Sequence, residues 1–238
     1  MAISDLELPT HVLGFGLGTA QQLASELAVS VANALRGAIA ERGAASLVVS
    51  GGRSPIPFFQ RLAQQELDWS RVTVSLADER WVPVAHADSN EGLVRRHLLQ
   101  ERAAKARFIG LYQAAPSLEE AAQLAEQALS ELPQLIDVLV LGMGEDGHCA
   151  SLFPASANLD RALSADCPRR CLPMQAPTVP RQRLTLTLPV LASARLTLLA
   201  IEGLTKLATL RQALAGTDAA QMPIRAFLRE PLEIYWCP

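Results

Sequence analysis

The run Leu141-Gly142-Met143-Gly144-Glu145-Asp146-Gly147-His148 sets an acid and an imidazole close together on a glycine-rich turn. Imidazole titrates unperturbed near neutrality, at roughly 6.5, so His148 is suited to take a proton from water and Asp146 to orient it. Gly142, Gly144 and Gly147 admit backbone conformations closed to other residues and let a ligand approach closely. Earlier in the chain, Ser50-Gly51-Gly52-Arg53-Ser54 precedes an expected helix and could cradle an anion on backbone N–H groups at its positive end. It is not a Walker loop, which has a longer spacing and a Lys-Ser/Thr ending. Asp78, Glu79 and Arg80, with Ser89-Asn90 downstream, gather groups that orient a polyol and stabilise developing negative charge. Arg183, near Arg181, and Lys206 suit a phosphate, the first as a bidentate fork and the second as a point charge. Taken singly, these runs are also the composition of ordinary turns and solvated surface. Convergence on one crevice would make them a site.

The elements around them alternate between helical and strand patterns, which predicts an α/β layer structure with a largely parallel sheet. Thr19 to Glu41 reads as a helix ended by Gly43, and Ser46 to Ser50 as a short strand before a second helix reaching about Gln65. Val72 to Ala77 reads as a strand running into the charged Asp78-Glu79-Arg80 exit. Ser89-Asn90 starts a helix toward Gln100, and Ser117 to Ser130 forms another. Leu135 to Leu141 is apolar except for Asp137, as in a strand covered on both faces. Leu184 to Leu188 and Leu196 to Ile201 are strand-like, Gly203 to Leu214 is helical, and Ile234 to Trp236 is a last short strand. Ligands of open parallel sheets bind at the carboxyl ends of the strands, where these charged and glycine-rich segments fall.

Half of the 238 residues are hydrophobic, 19% are charged and the mean hydropathy is +0.18, as in a soluble globular protein. A net charge of −3 supplies no broad basic surface, so neither nucleic acid nor an anionic membrane is an expected partner. The first residues lack the basic and apolar regions of a signal peptide, and the tract from Leu184 to Leu204 is interrupted by Pro189, Arg195 and Glu202. Cytoplasmic residence is the expectation, and no obligate protein partner is indicated. Cys149, Cys167, Cys171 and Cys237 form no CxxC pair and read as reduced thiols. No recognisable metal-ligand spacing links His148, Cys149 and His86, so no metal is expected.

Jointly, these segments resemble the 6-phosphogluconolactonase family in order and approximate spacing, over nearly the full length. The matching pieces are Ser50 to Pro55, Asp78 to Pro83 with Ser89-Asn90, Leu141 to His148 running into Ser151-Leu152-Phe153-Pro154, Pro180 to Thr187, and Gly203-Leu204-Thr205-Lys206. The resemblance implies a single domain over residues 1–238. Its implied fold, shared with glucosamine-6-phosphate deaminases, is a doubly wound, mainly parallel sheet with helices on both faces. It further implies hydrolysis of 6-phospho-D-glucono-1,5-lactone in the oxidative pentose phosphate pathway, without a cofactor. His148, Asp146 and Arg80 would then be catalytic. Gly51, Gly52, Arg53, Ser54, Arg183 and Lys206 would hold the phosphate, and Asp78, Glu79 and Asn90 would position the sugar. Deaminases of this superfamily follow the Gly-Asp-Gly-His turn with Ile-Ala-Phe-Asn-Glu-Pro, whose glutamate assists ring opening. Here Cys149-Ala150-Ser151-Leu152-Phe153-Pro154 follows, without that glutamate. Deaminase-type isomerase chemistry and a non-catalytic sugar-phosphate sensor are the alternatives. The departures at Cys149 and Ser54, positions where the family often has threonine, remove no group that hydrolysis needs.

Overall fold

The computed structural model describes residues 2–228 and 231–238. In chain order the elements are β1 (Val12–Gly16), α1 (Ala20–Arg42), β2 (Ala45–Val49), α2 (Ile56–Ala63), β3 (Val72–Leu76), β4 (Asp78–Arg80), α3 (Asn90–His97), β5 (Arg107–Ile109) and α4 (Leu118–Ala128). They continue with β6 (Val138–Leu141), α5 (Leu159–Leu163), β7 (Cys171–Gln175), β8 (Gln182–Leu186), α6 (Leu188–Leu191), β9 (Leu196–Glu202), α7 (Leu204–Leu214) and β10 (Leu232–Cys237).

Seven strands form one parallel sheet in the order β1-β10-β9-β6-β2-β3-β5. From β2 the chain steps outward through β3 to β5. It then returns to β6 on the other side of β2 and steps the opposite way through β9 and β10. The direction of winding therefore reverses between β2 and β6, and the gap beyond their carboxyl ends is the natural ligand crevice of a doubly wound sheet. At that point the Ser50 N–H donates to the Val140 carbonyl at 2.9 Å, tying the two strand ends together.

Both switch-point strands are buried along their length, which accounts for their unbroken apolar sequence. Asp137, the polar residue just before β6, has its own partners: its carboxylate accepts from the Ser46 N–H at 2.7 Å, the Ser46 hydroxyl at 3.0 Å and Arg42 at 2.7 Å. The helix α1 is capped by the Thr19 hydroxyl, which accepts from the Gln22 N–H, and ends at Gly43. It is also long and apolar enough to cross a bilayer by length and composition. Its apolar residues Leu23, Leu27, Val31 and Leu35 recur at helical spacing and are buried in the core, so packing explains its composition.

The expected charged loop after β3 is a strand. Ala77 donates its N–H to the Val49 carbonyl at 2.9 Å and accepts from the Leu186 N–H at 2.9 Å, carrying the chain out of the large sheet. Asp78, Glu79 and Arg80 then form β4, which joins β8 and β7 in a three-stranded antiparallel sheet. Backbone pairing, indifferent to side-chain polarity, overrides the low strand propensity of this polar run.

Candidate active site

A cavity of about 410 Å³ opens at the switch point between β2 and β6. The structure brings to its lining His148, Asp78, Arg80, Asn90, Arg183, Lys206, Gly51, Gly52 and Ser54, drawn from segments far apart in sequence. Asp146 stands behind the imidazole, Glu79 lies buried behind β4, and Arg53 is exposed outside the lining.

The turn after β6 builds the acid–imidazole pair. The Gly144 N–H donates to the His148 carbonyl at 2.8 Å and the Gly147 N–H to the Gly144 carbonyl at 3.2 Å, folding the segment back on itself. Asp146 Oδ1 accepts from the His148 backbone N–H at 3.1 Å and lies 2.6 Å from the imidazole Nδ1. A Cβ on Gly144 would fall on the imidazole and on Asp146 Oδ1, so the pair packs in the space left by an absent side chain. Burial raises the Asp146 carboxyl, but the backbone N–H and imidazole of His148 outweigh it and hold the carboxyl below its ordinary value. With Asp146 ionised, Nδ1 is the donor of the pair, which makes Nε2 the acceptor position of the neutral imidazole. Phe153 lies against the ring, with centroids 4.5 Å apart, and the Arg183 guanidinium lies 5.7 Å from the Phe153 ring.

The cations come next. Arg80 and Arg183 are direct cross-strand partners in the β4–β8 pair, an arrangement that costs energy for like charges unless an anion lies between them. Burial pushes the Arg183 guanidinium down, opposed by Asp78 and reinforced by Arg80. Its Nε donates to the Pro180 carbonyl at 2.7 Å, which fixes the fork without using its two terminal nitrogens. Arg80 is held by the Asp88 carbonyl at 2.8 Å, and its Nε is enclosed with no acceptor. Lys206, on the first turn of α7, donates to the Met143 carbonyl at 2.7 Å, bracing the acid–imidazole turn while it lines the cavity. Across the crevice, Gly51 packs so closely on the Asn90 carboxamide that a Cβ would overlap it.

Glu79 has a different place from the one its neighbours suggested. Its carboxylate accepts from the backbone N–H groups of Arg80, Asn90 and Glu91, each at 2.7 Å, and from the Ser89 hydroxyl at 3.2 Å. Burial pushes this carboxyl up to about 7 against those donors. It organises the start of α3 and does not line the cavity. Asp78 does face the cavity, with its Oδ2 accepting from the Ser151 hydroxyl at 2.5 Å. Asn90 donates to the Asp78 carbonyl at 2.9 Å. Cys149 is buried with its thiol pushed up by burial, which leaves it no nucleophilic thiolate.

Among the lining residues that escaped sequence reasoning are Phe153, Thr178 and Glu202. Phe153 lies in a segment quoted for its resemblance and had no role there, while Glu202 looked like an interruption in an apolar tract. Only the fold shows that both face the imidazole's cavity.

The arrangement combines an imidazole oriented by a carboxylate with several cations in one cavity, which suits attack of water on an activated carbonyl of an anionic substrate. The family model described as glucosamine-6-phosphate isomerases/6-phosphogluconolactonase matches residues 18–236. The 6-phosphogluconolactonase of Pseudomonas aeruginosa is 64% identical over 241 aligned residues, covering all of both chains. A crystal structure of a 6-phosphogluconolactonase from Shewanella baltica OS155 superposes with a TM-score of 0.93 at 41% identity, covering 97% of this chain and all of that one. A monomeric glucosamine-6-phosphate deaminase has the same fold, with a TM-score of 0.78 at 19% identity over 94% of this chain and 97% of its own. The chain belongs to the glucosamine-6-phosphate isomerase/6-phosphogluconolactonase family.

Proposed function

We propose that the protein hydrolyses 6-phospho-D-glucono-1,5-lactone to 6-phospho-D-gluconate, as a cytoplasmic enzyme of the oxidative pentose phosphate pathway, with His148 as general base. The observation that carries this reading is the imidazole lining a cation-rich cavity with its Nδ1 engaged by Asp146 at 2.6 Å. His148 Nε2 takes a proton from water as the water oxygen bonds to C1 of the lactone. The oxyanion that forms is stabilised by a cavity cation, with Arg80 assigned to the lactone end. Collapse of the tetrahedral intermediate breaks the bond from C1 to the ring oxygen, and the imidazolium returns its proton to that oxygen. A lactone is an activated ester, so no covalent nucleophile is needed.

The 6-phosphate is assigned to the backbone N–H groups of Gly51, Gly52, Arg53 and Ser54 and to Arg183 and Lys206. The N–H groups of Gly51 and Gly52 have no acceptor among the described residues, and they precede the N-terminus of α2, where an anion is favoured. Arg53 contributes through its backbone alone in this reading. Asp78 and Asn90 position the sugar, and Glu79 acts on it only by holding Asn90 and Arg80 in place. Binding the remote phosphate converts binding energy into orientation at C1. Acid release from freshly prepared 6-phosphogluconolactone tests the activity: the protein accelerates release above the spontaneous rate, and no acceleration contradicts the assignment.

A further inference from the structure

Of the charged and imidazole side chains that line the cavity, one has no hydrogen-bond or ion-pair partner among the described residues. Asp78 accepts from Ser151, Arg80 donates to the Asp88 carbonyl, His148 meets Asp146, Arg183 donates to Pro180 and Lys206 to Met143. Glu202, the last residue of β9, forms no hydrogen bond or ion pair among the described residues, although it is partly buried. Its backbone is fixed, because it is in register with Cys237 of β10 and the following Gly203 N–H donates to the Cys237 carbonyl at 2.9 Å. Burial raises its carboxyl from the ordinary value, which is the cost of a half-desolvated acid without a donor.

The three cations are donors only. Asp78 shares its carboxylate with Ser151 and, at 3.5 Å, with Asn90, whereas no donor among the described residues occupies the Glu202 carboxylate. The Asn90 Oδ1 is enclosed. A polyhydroxylated ring brings hydroxyl donors that need acceptors once desolvated. We propose that Glu202 accepts a hydrogen bond from a ring hydroxyl of the bound sugar phosphate and so selects the hydroxylated ring over its deoxygenated analogue. The identity of the ring rests on the lactonase reading; the acceptor role rests on the cavity.

The test separates the two. The probe is 1,5-anhydroglucitol 6-phosphate, a ring analogue without the C1 carbonyl, together with its 2-, 3- and 4-deoxy forms. Each is titrated calorimetrically into the wild type, Glu202→Ala and Glu202→Gln. One deoxygenation weakens binding to the wild type by about 10- to 100-fold, the span for a hydrogen bond to a charged group, and leaves Glu202→Ala nearly indifferent. Glu202→Gln, which keeps an acceptor oxygen, falls between them. The proposal is overturned if Glu202→Ala weakens all four ligands by one common factor, or if the wild type ignores every deoxygenation. Failure of the wild type to bind the parent ring overturns it together with the sugar-phosphate reading. Retained coupling without acid release from the lactone contradicts the lactonase reading alone.

Discussion

At the scale of single residues, the account depends on which atom of His148 faces the cavity. The 2.6 Å contact with Asp146 occupies Nδ1, and Nε2 is left to act. Asp146→Asn replaces the acceptor-only carboxylate by an amide that can also donate to Nδ1, so this tautomer is no longer enforced, and the expected result is at least about a tenfold fall in kcat with the fold intact. The same variant reports on stability. The Asp146 carboxyl lies below its ordinary value in the folded protein, so its contribution is fully present above the unfolded value, about 4, and is lost as pH falls through the folded one. The gap in urea midpoint between wild type and Asp146→Asn therefore narrows from pH 7 to pH 3; a constant gap would show that the carboxylate is not stabilised by the fold. His148 and Asp146 were legible in the sequence because their relation is local, two residues apart on one turn. Glu79 and Glu202 were not, since a carboxylate looks the same whether it meets backbone N–H groups, as Glu79 does, or faces an open cavity, as Glu202 does.

At the scale of elements, the acid–imidazole turn closes because Gly144 has no side chain. A Cβ there would overlap the imidazole and Asp146 Oδ1, so Gly144→Ala must push the ring aside. Displacement of about 1 Å at a reacting group costs on the order of a hundredfold in rate. Gly144→Ala is expected to lose that much kcat while its thermal midpoint changes little, because Gly144 does not have a positive φ. Full activity in this variant would mean that the ring has room the structure does not show. The helices α1, α3 and α4 were readable from their period and from the Thr19, Ser89 and Ser117 caps, which are local signals. By contrast, β1 has two glycines and a mostly exposed face, and its partner β10 lies at the other end of the chain. The strand β7 carries Pro173, and β4 is charged throughout, so both draw their identity from β8 rather than from their own composition.

At the scale of the molecule, the reversal of winding between β2 and β6 gathers one glycine cradle, one acid–imidazole turn and three cations into one cavity. The parallel sheet was predictable from alternating elements, and the family resemblance supplied the doubly wound order. The antiparallel sheet that sets Arg80 opposite Arg183 was not predictable, as it depends on pairing between residues about a hundred positions apart. Lys206 reaches this cavity from α7, and the proposed role is to bind the phosphate. Lys206→Ala is expected to lower kcat/KM by about 10- to 100-fold for the phosphorylated lactone and much less for the unphosphorylated one. Equal losses on both would assign Lys206 to bracing the Met143 carbonyl instead.

The measurement that bears most directly on the central claim is the rate of acid release from fresh 6-phosphogluconolactone with wild type, with His148→Ala and with no protein. The account predicts acceleration by the wild type and a loss of at least about a hundredfold in the variant, the low end for general base catalysis. Equal acceleration by both proteins would contradict the role of His148, and a wild-type rate no faster than the spontaneous one would contradict the activity itself.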